Sequence, residues 1–309
     1  MKSCTVIYNP QSGKKMNINI EKIKEKLIQR GYDTTIIPTT KKGDATEITK
    51  NIDYTDLLIC VGGDGTLNEV VKGNLQRDKK LLIASLPKGT SNDVGMMYGY
   101  TANLDKNIDL LLKGKIKNVD ICLINNVPFV YVACMGSYTN VPYKTPRELK
   151  EKYGKIGYAI YAFKEIKNKV QLFDVKYKVN GIEYEGTYSF VFITNTSRIA
   201  GVNNIYNDVK LDDNKFEVVL CSEKTKKDLL KTLYLFKTKD ISTISGIQYY
   251  KTDKFSIEFK EVPKFSWCID GEELKHEDKI FEFSIDKSMN MLVPNVNISK
   301  LFEKEDINS

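Results

Sequence analysis

The sequence predicts an α/β protein in two parts: an N-terminal three-layer α/β domain followed by a C-terminal antiparallel β-sandwich. Three observations carry this. The chain has 309 residues, past the roughly 250–300 at which a single hydrophobic core stops growing. Its first third alternates short apolar runs with helical periodicity, the pattern of a mainly parallel sheet covered on both faces. From about residue 119 the style changes to short strands joined by turn dipeptides.

In the first third, Cys4–Tyr8, Thr34–Ile37, Asp56–Val61 and Leu81–Leu86 are apolar runs of strand length. Ile20, Ile23 and Leu27 share a helix face that ends at Gly31, a suitable C′ glycine. Leu67, Val70, Val71 and Leu75 define a second helix, and Leu104, Ile108, Leu111 and Leu112 a third. Farther on, Val119–Ile124 and Phe129–Cys134 flank Asn125-Asn126, which reads as a hairpin. Val175–Val179 and Ile182–Tyr184 flank Asn180-Gly181, a dipeptide suited to a type I′ turn because both positions need positive φ. Tyr188–Thr194, Phe216–Cys221, Phe255–Phe259, Phe265–Ile269 and Ile280–Ile285 are further strands, with helical stretches near 155–168 and 225–238. The expected division is 1–124 with a C-terminal return at about 293–309, and 125–292.

Hydrophobic residues make up 41% and charged residues 28%, which excludes a disordered chain. The net charge of +7 is spread along the sequence, so it suits either a solvated lysine-rich surface or contact with a polyanion or anionic membrane. Nucleic acid is not among the expected partners. The six cysteines lie far apart with no C-x-x-C pair, which leaves no zinc or redox motif and points to buried, reduced thiols. The apolar runs fall short of the ~18 residues that span a bilayer, and Met1-Lys2 leads directly into a strand with no signal-peptide core. Membrane contact is therefore expected to be peripheral. Lys150–Lys169 mixes basic residues with Tyr153, Tyr158, Tyr161 and Phe163; a helix packed on the sandwich is the preferred reading, an interfacial helix the other.

The chemistry should sit at Val61-Gly62-Gly63-Asp64-Gly65-Thr66-Leu67-Asn68-Glu69, where a strand gives way to a helix. Glycines let the backbone approach a ligand closely, and the amides of such a turn and helix N-terminus form a phosphate site. An Asp in that loop makes sense when the phosphate arrives with Mg²⁺. Neither a dinucleotide fingerprint, nor a G-x-x-x-x-G-K-[ST] P-loop, nor the protein-kinase set is present. Two further loops follow strands of the same sheet: Asn9-Pro10-Gln11-Ser12-Gly13-Lys14, and Leu86-Pro87-Lys88-Gly89-Thr90-Ser91-Asn92-Asp93. Open α/β sheets bind ligands at the carboxyl ends of their strands, where these loops converge. Together they indicate a polyphosphate.

Gly-Gly-Asp-Gly-Thr at 62–66, Pro-Lys-Gly-Thr-Ser-Asn-Asp at 87–93 and Asp270-Gly271-Glu272 stand in the order of the diacylglycerol kinase catalytic family, which this chain resembles along essentially its whole length. That family is grouped with sphingosine kinases and, more distantly, NAD kinases, so the resemblance implies an NAD kinase-like N-terminal domain. It further implies an ATP- and Mg²⁺-dependent lipid kinase that phosphorylates diacylglycerol at the inner face of the membrane, in the cytoplasm, with a possible homodimer. On this basis Asn9, Pro10, Gln11, Ser12, Gly13, Gly62 to Glu69, Gly89 and Thr90 bind ATP, with Thr39 nearby. Asp64, Asp93 and Lys14 form the charged centre around Mg²⁺-ATP, and Glu272 accepts the proton of the lipid hydroxyl. Lys210 and Lys215, through their carbonyls, and Asp213, through its carboxylate, resemble the family's second, structural Mg²⁺ site.

Phosphoryl transfer is mainly positioning and electrostatics with a carboxylate taking the hydroxyl proton, and with His276 the sole histidine a histidine relay has little material. Read alone, Asp270-Gly271 is also a common hairpin turn, and Asp212-Asp213-Asn214 reads equally as turn or metal loop. Phosphatidylglycerol, a sphingoid base or NAD are the alternative acceptors, and a catalytically inactive nucleotide- or lipid-sensing module is the alternative to an enzyme.

Overall fold

Leu57 to Val61 is a run of five apolar residues with no polar interruption, and a strand of that kind needs cover on both faces. It has it: these five residues are at most 1% exposed. They form the centre of a parallel sheet in the computed structural model, which describes residues 1–13, 20–146, 148–149, 161 and 169–303. Contacts divide the chain into two units, Met1–Asp120 with Lys287–Ser309, and Ile121–Asp286.

In the first unit β1 (Lys2–Tyr8), β2 (Tyr32–Pro38), β3 (Leu57–Gly62) and β4 (Ile83–Pro87) lie in the order β2-β1-β3-β4 and pair in parallel throughout. The end of β18 (Ile280–Val293) adds a further parallel strand beside β4, with Met291 opposite Ile83. Helices α1 (Ile20–Gln29), α2 (Asp44–Asn51), α3 (Asp64–Leu75), α4 (Asp93–Met97) and α5 (Leu104–Leu112) belong to the same unit. The expected apolar faces are inside: Ile23 and Leu27 on α1, Leu67, Val70 and Val71 on α3, Ile108 and Leu111 on α5. Helix α2 was not legible, because its inner face is Ala45, Thr46 and Thr49 rather than large aliphatics. It packs so closely on α3 that a Cβ on Gly73 would lie 2.4 Å from the Thr46 carbonyl. Its two ends are closed by side chains of other elements. The Glu69 carboxylate accepts from the amides of Gly43 and Ala45 at 2.9 and 3.2 Å, and the Arg77 guanidinium donates to the carbonyls of Thr49, Lys50 and Ile52 at 2.8–3.0 Å.

In this strand order the chain leaves β1 toward β2 and later leaves β3 toward β4, in opposite directions. The connections part at the carboxyl ends of β1 and β3 and open a crevice there.

The second unit is built on alternation instead. In β8 (Phe173–Val179), Phe173, Val175, Tyr177 and Val179 point inward, with Asp174, Lys176 and Lys178 outward. Strands β5 (Lys115–Ile124) and β6 (Val127–Phe129) form a hairpin next to the start of β18. That end of β18 pairs antiparallel with β15 (Phe255–Phe259), which pairs with β8, and β8 with β9 (Ile182–Tyr188). The facing sheet runs β14-β13-β10-β7-β16-β17, from Ile247–Thr252 through Phe216–Cys221, Phe190–Thr194, Val132–Gly136 and Trp267–Ile269 to Glu272–Leu274. A two-stranded ladder, β11 (Arg198–Ile199) with β12 (Val202–Asn203), and helices α6 (Val141–Lys144) and α7 (Lys226–Leu235) also belong to this unit; α8 (Ile298–Leu301) belongs to the first. Side chains of both sheets meet in one core around Trp267. At the β9 and β14 edges, the Tyr177 and Tyr188 hydroxyls both donate to Gln248 Oε1 at 2.6 Å and tie the two sheets together.

The expected turns are present. Asn125-Asn126 and Asn180-Gly181 adopt positive φ at both positions, 45° and 65°, then 50° and 79°. The expected strand Phe129–Cys134 is instead split into β6 and β7. The Asp270 carboxylate takes the amides of Val130, Tyr131 and Val132 at 2.7–3.1 Å, so the first two cannot enter a ladder. The expected helix near 155–168 lies outside the described residues, apart from Tyr161. All six cysteines are buried thiols. Among the described residues no helix is long and apolar enough to cross a membrane.

One titration follows from the core of the second unit. Glu217 on β13 is fully buried, and among the described residues neither of its carboxylate oxygens has a hydrogen-bond partner. Burial pushes its carboxyl well above the ordinary value of 4.5, against the opposing pull of the Lys251 ammonium. A folded pKa above the unfolded one means that the stability is fully present below the unfolded value and is lost as pH rises toward the folded one. The melting temperature of Glu217→Gln should therefore gain on that of wild type between about pH 5 and about pH 8. A gap that stays constant over that range would show that the carboxyl is not held protonated.

Candidate active site

Three loops leave the carboxyl ends of β1, β3 and β4, and all three touch through backbone. The Asn9 amide donates to the Val61 carbonyl at 3.0 Å, and the Lys88 amide to the Gly62 carbonyl at 2.6 Å. Gly13 has φ of 55°, and a Cβ there would sit 2.0 Å from the Lys88 carbonyl oxygen. A Cβ on Gly89 would sit 2.6 Å from the Cα of Gly63. Contacts this short exclude any side chain, which is the physical reason for glycine at both positions.

Gly63 is the N-cap of α3 and supplies no side-chain hydrogen bond to the helix end. The helix therefore presents its amide terminus and the positive end of its dipole to the crevice. Around it the loops are internally braced. The Asn9 carboxamide accepts from the Gln11 amide at 2.9 Å and reaches Thr66 Oγ1 at 3.5 Å. Asn92, at φ 51°, closes a ring with Gly89, its Oδ1 accepting from Gly89 N at 2.5 Å and its Nδ2 donating to Gly89 O at 2.8 Å. This leaves Thr90 exposed at the tip.

Asp64 and Asp93 are brought together. The Asp64 carboxylate accepts from the amides of Asp93 at 2.9 Å and Val94 at 3.3 Å, so it caps α4, for which Asn92 supplies no side-chain cap. Asp93 is 1% exposed. Thr39 stands at the end of β2, its amide bonded to the Tyr8 carbonyl at 2.9 Å. Pro10, Gln11, Ser12, Gly65 and Asn68 remain at least partly exposed around these loops. Two expected ligands are placed differently. The Leu67 side chain is in the core, 1% exposed, and leaves only its backbone. The Glu69 carboxylate is committed to Gly43 and Ala45. Lys14 lies outside the described residues. Sequence reasoning passed over Lys88, which is 6% exposed despite its charge; its signal was a lysine inside a glycine turn that closes on a neighbouring loop.

In the second unit Glu272 follows a two-residue turn between β16 and β17, with φ of 49° at Asp270 and 87° at Gly271. Asp270, 5% exposed, anchors the turn through its three backbone acceptor bonds. Glu272 itself is exposed at the first position after the turn. The hairpin-turn reading of Asp270-Gly271-Glu272 and the catalytic one are thus compatible: a rigid turn holds the carboxylate.

The donors near the crevice suit a divalent ion that brings its own ligands. Among the described residues no three acidic, cysteine or histidine side chains converge as a cage. Asp64 opens α3 and its carboxylate bonds the Asp93 amide, and Mg²⁺ characteristically takes one or two carboxylates plus substrate phosphates. The loop at Lys210–Lys215 fits a metal less well. The Asp213 carboxylate forms an ion pair with the Lys251 ammonium at 2.8 Å and accepts from the Lys215 amide at 3.0 Å, so a cation there must first displace Lys251.

Residues 3–124 match the model of the diacylglycerol kinase catalytic domain. A diacylglycerol kinase of Staphylococcus aureus (strain JH9) is 34% identical over 223 residues, 71% of this chain and 70% of that protein. One of Staphylococcus saprophyticus is 29% identical over 259 residues, 83% and 85% of the two chains. The crystal structure of a diacylglycerol kinase from Bacillus anthracis superposes with a TM-score of 0.77 at 24% identity, covering 96% of this chain and 99% of that one, a likeness of fold.

The glycine contacts yield a sharp expectation. In Gly89→Ala the new methyl group meets Gly63 Cα at 2.6 Å and Asn92 Oδ1 at 2.9 Å. The loops must part, at a cost of about 1–3 kcal/mol. A chemical-denaturation midpoint unchanged from wild type would show that the loops do not pack this way.

Proposed function

The chain belongs to the diacylglycerol kinase family and is a lipid kinase, and from that premise we propose that it transfers the γ-phosphate of ATP to the free hydroxyl of diacylglycerol, yielding phosphatidic acid and ADP. The observation that carries this is the convergence of three braced loops on the uncapped amide terminus of α3, beside the Asp64 and Asp93 pair. Amides of the Gly62–Thr66 turn bind the phosphate chain, and the Asn9–Gly13 loop flanks it. Mg²⁺ bound with the phosphates supplies charge neutralisation there. Asp64 and Asp93 orient that charged assembly; Asp64 is itself fixed by two amide bonds. Glu272 accepts the hydroxyl proton as the lipid oxygen bonds to the γ-phosphorus and the bond to the β-phosphate oxygen breaks. The acceptor lies in a membrane, so turnover takes place at the cytoplasmic face by peripheral contact, which the net charge of +7 favours at an anionic surface. A homodimer belongs to the same reading, on the family resemblance alone.

The experiment is transfer of radiolabelled phosphate from ATP into lipids presented in mixed micelles, with and without Mg²⁺. Diacylglycerol should be labelled, and phosphatidylglycerol, a sphingoid base and NAD should not. Labelling of one of these instead would reassign the acceptor, and no acceptor-dependent turnover would leave a sensing module. Two variants test the assigned roles. Asp64→Ala should abolish turnover. Glu272→Gln should lower kcat by about 10²- to 10⁴-fold while ATP binding persists. Wild-type kcat in Glu272→Gln would remove that residue from the reaction.

A further inference from the structure

We propose that Lys88 is a cationic contact for the nucleotide's phosphate chain, held unpaired in the free protein until the polyphosphate arrives. The proposal rests on the kinase reading above and adds to it a residue with a defined partner.

A lysine with so little of its surface exposed is normally paired, because drawing its ammonium out of water without a counter-charge is unfavourable. Lys88 departs from that rule. It is 6% exposed, yet its side chain has neither an ion pair nor a hydrogen bond among the described residues. Of the carboxylates on α3, Asp64 is bonded to the amides of α4 and Glu69 to those at the start of α2.

The position of Lys88 is fixed from both sides. Its amide is bonded to Gly62 O at 2.6 Å, and its carbonyl lies 3.5 Å from Ser12 Oγ. Its stem runs along Gly13, whose missing Cβ would come within 3.6 Å of Lys88 Cγ. Lys88 thus sits where the loops after β1, β3 and β4 meet, at the amide terminus of α3. Burial lowers the Lys88 ammonium below its ordinary 10.5, the sign of a charge that lacks a partner. The plainer account is a lysine stem that covers apolar surface while its head reaches water. That account predicts no link between this charge and an anion.

The test uses the full chain without lipid and measures ATP, ADP and adenosine binding by calorimetry. Lys88→Met should weaken ATP by about 10- to 100-fold, the range of a charge-assisted contact, and leave adenosine unchanged. Lys88→Arg should keep most of the affinity, and Lys88→Gln should match Lys88→Met. The nucleotide-free Lys88→Met protein should melt no lower than wild type, since an unpaired buried charge has been removed. Equal ATP affinity in wild type and Lys88→Met overturns the proposal and leaves the kinase reading standing. Equal losses for ATP and adenosine also overturn it, since they mark a structural role. Absence of ATP binding in wild type defeats the kinase reading, and this proposal with it.

Discussion

Backbone has to touch backbone where β1, β3 and β4 end. Gly13 lies against the Lys88 carbonyl and Gly89 against Gly63 so closely that a single methyl group at either glycine would occupy space already filled. This constraint draws three loops, far apart in sequence, into one crevice. It also keeps side chains out of the space over the α3 terminus, which a ligand of many oxygens needs in order to reach amides directly. The parallel sheet supplies the frame: with the strands in the order β2-β1-β3-β4, the loops after β1 and β3 diverge, and the crevice between them is a consequence of topology.

Carboxylates hold the frame in place. Asp56 takes the Ser3 amide and hydroxyl at 2.7 and 2.9 Å, Asp44 takes the amides of Thr40 and Lys41, Glu69 closes α2, and Asp270 takes three amides of the strand break before β7. Glu69 lies within α3 and Asp44 opens α2, while Asp56 and Asp270 lie in loops, and the oxygens of each satisfy backbone donors outside the regular ladders. Sequence position alone does not say which backbone an acid braces, since Asp64 and Glu69 stand on the same helix, the first bonded to the amides of α4 and the second to those at the start of α2.

Legibility followed the size of the inward-facing residues. Aliphatic periodicity exposed α1, α3 and α5, and paired turn residues with positive φ exposed the Asn125-Asn126 and Asn180-Gly181 hairpins. Helix α2 was hidden because Ala45, Thr46 and Thr49 face Gly73 across a gap too small for a leucine. The break between β6 and β7 was hidden because it is enforced by Asp270, about 140 residues away in sequence. The two contact units change within β5 and β18, at 120 and 287, whereas the expected division stood at 124 and 292, near the ends of those strands. The candidate site was legible as three motifs, but the roles inside them were not: Leu67 had to be seen in the core, and Lys88 without a partner, before either could be assigned.

Asp64 unites these themes. An ionised carboxylate offers about four lone-pair directions, and two are taken by the amides of Asp93 and Val94. Those bonds fix the rotation of the group against the backbone of α4. On the proposed function, a side chain that already caps one helix needs little reordering to meet a cation at the terminus of another, so the same two bonds that stabilise the loop after β4 would also prepare the carboxylate for the charge that arrives with a phosphate. Under that proposal structural and chemical duties are one arrangement: weakening the cap on α4 would cost the acid its orientation before the crevice lost its shape.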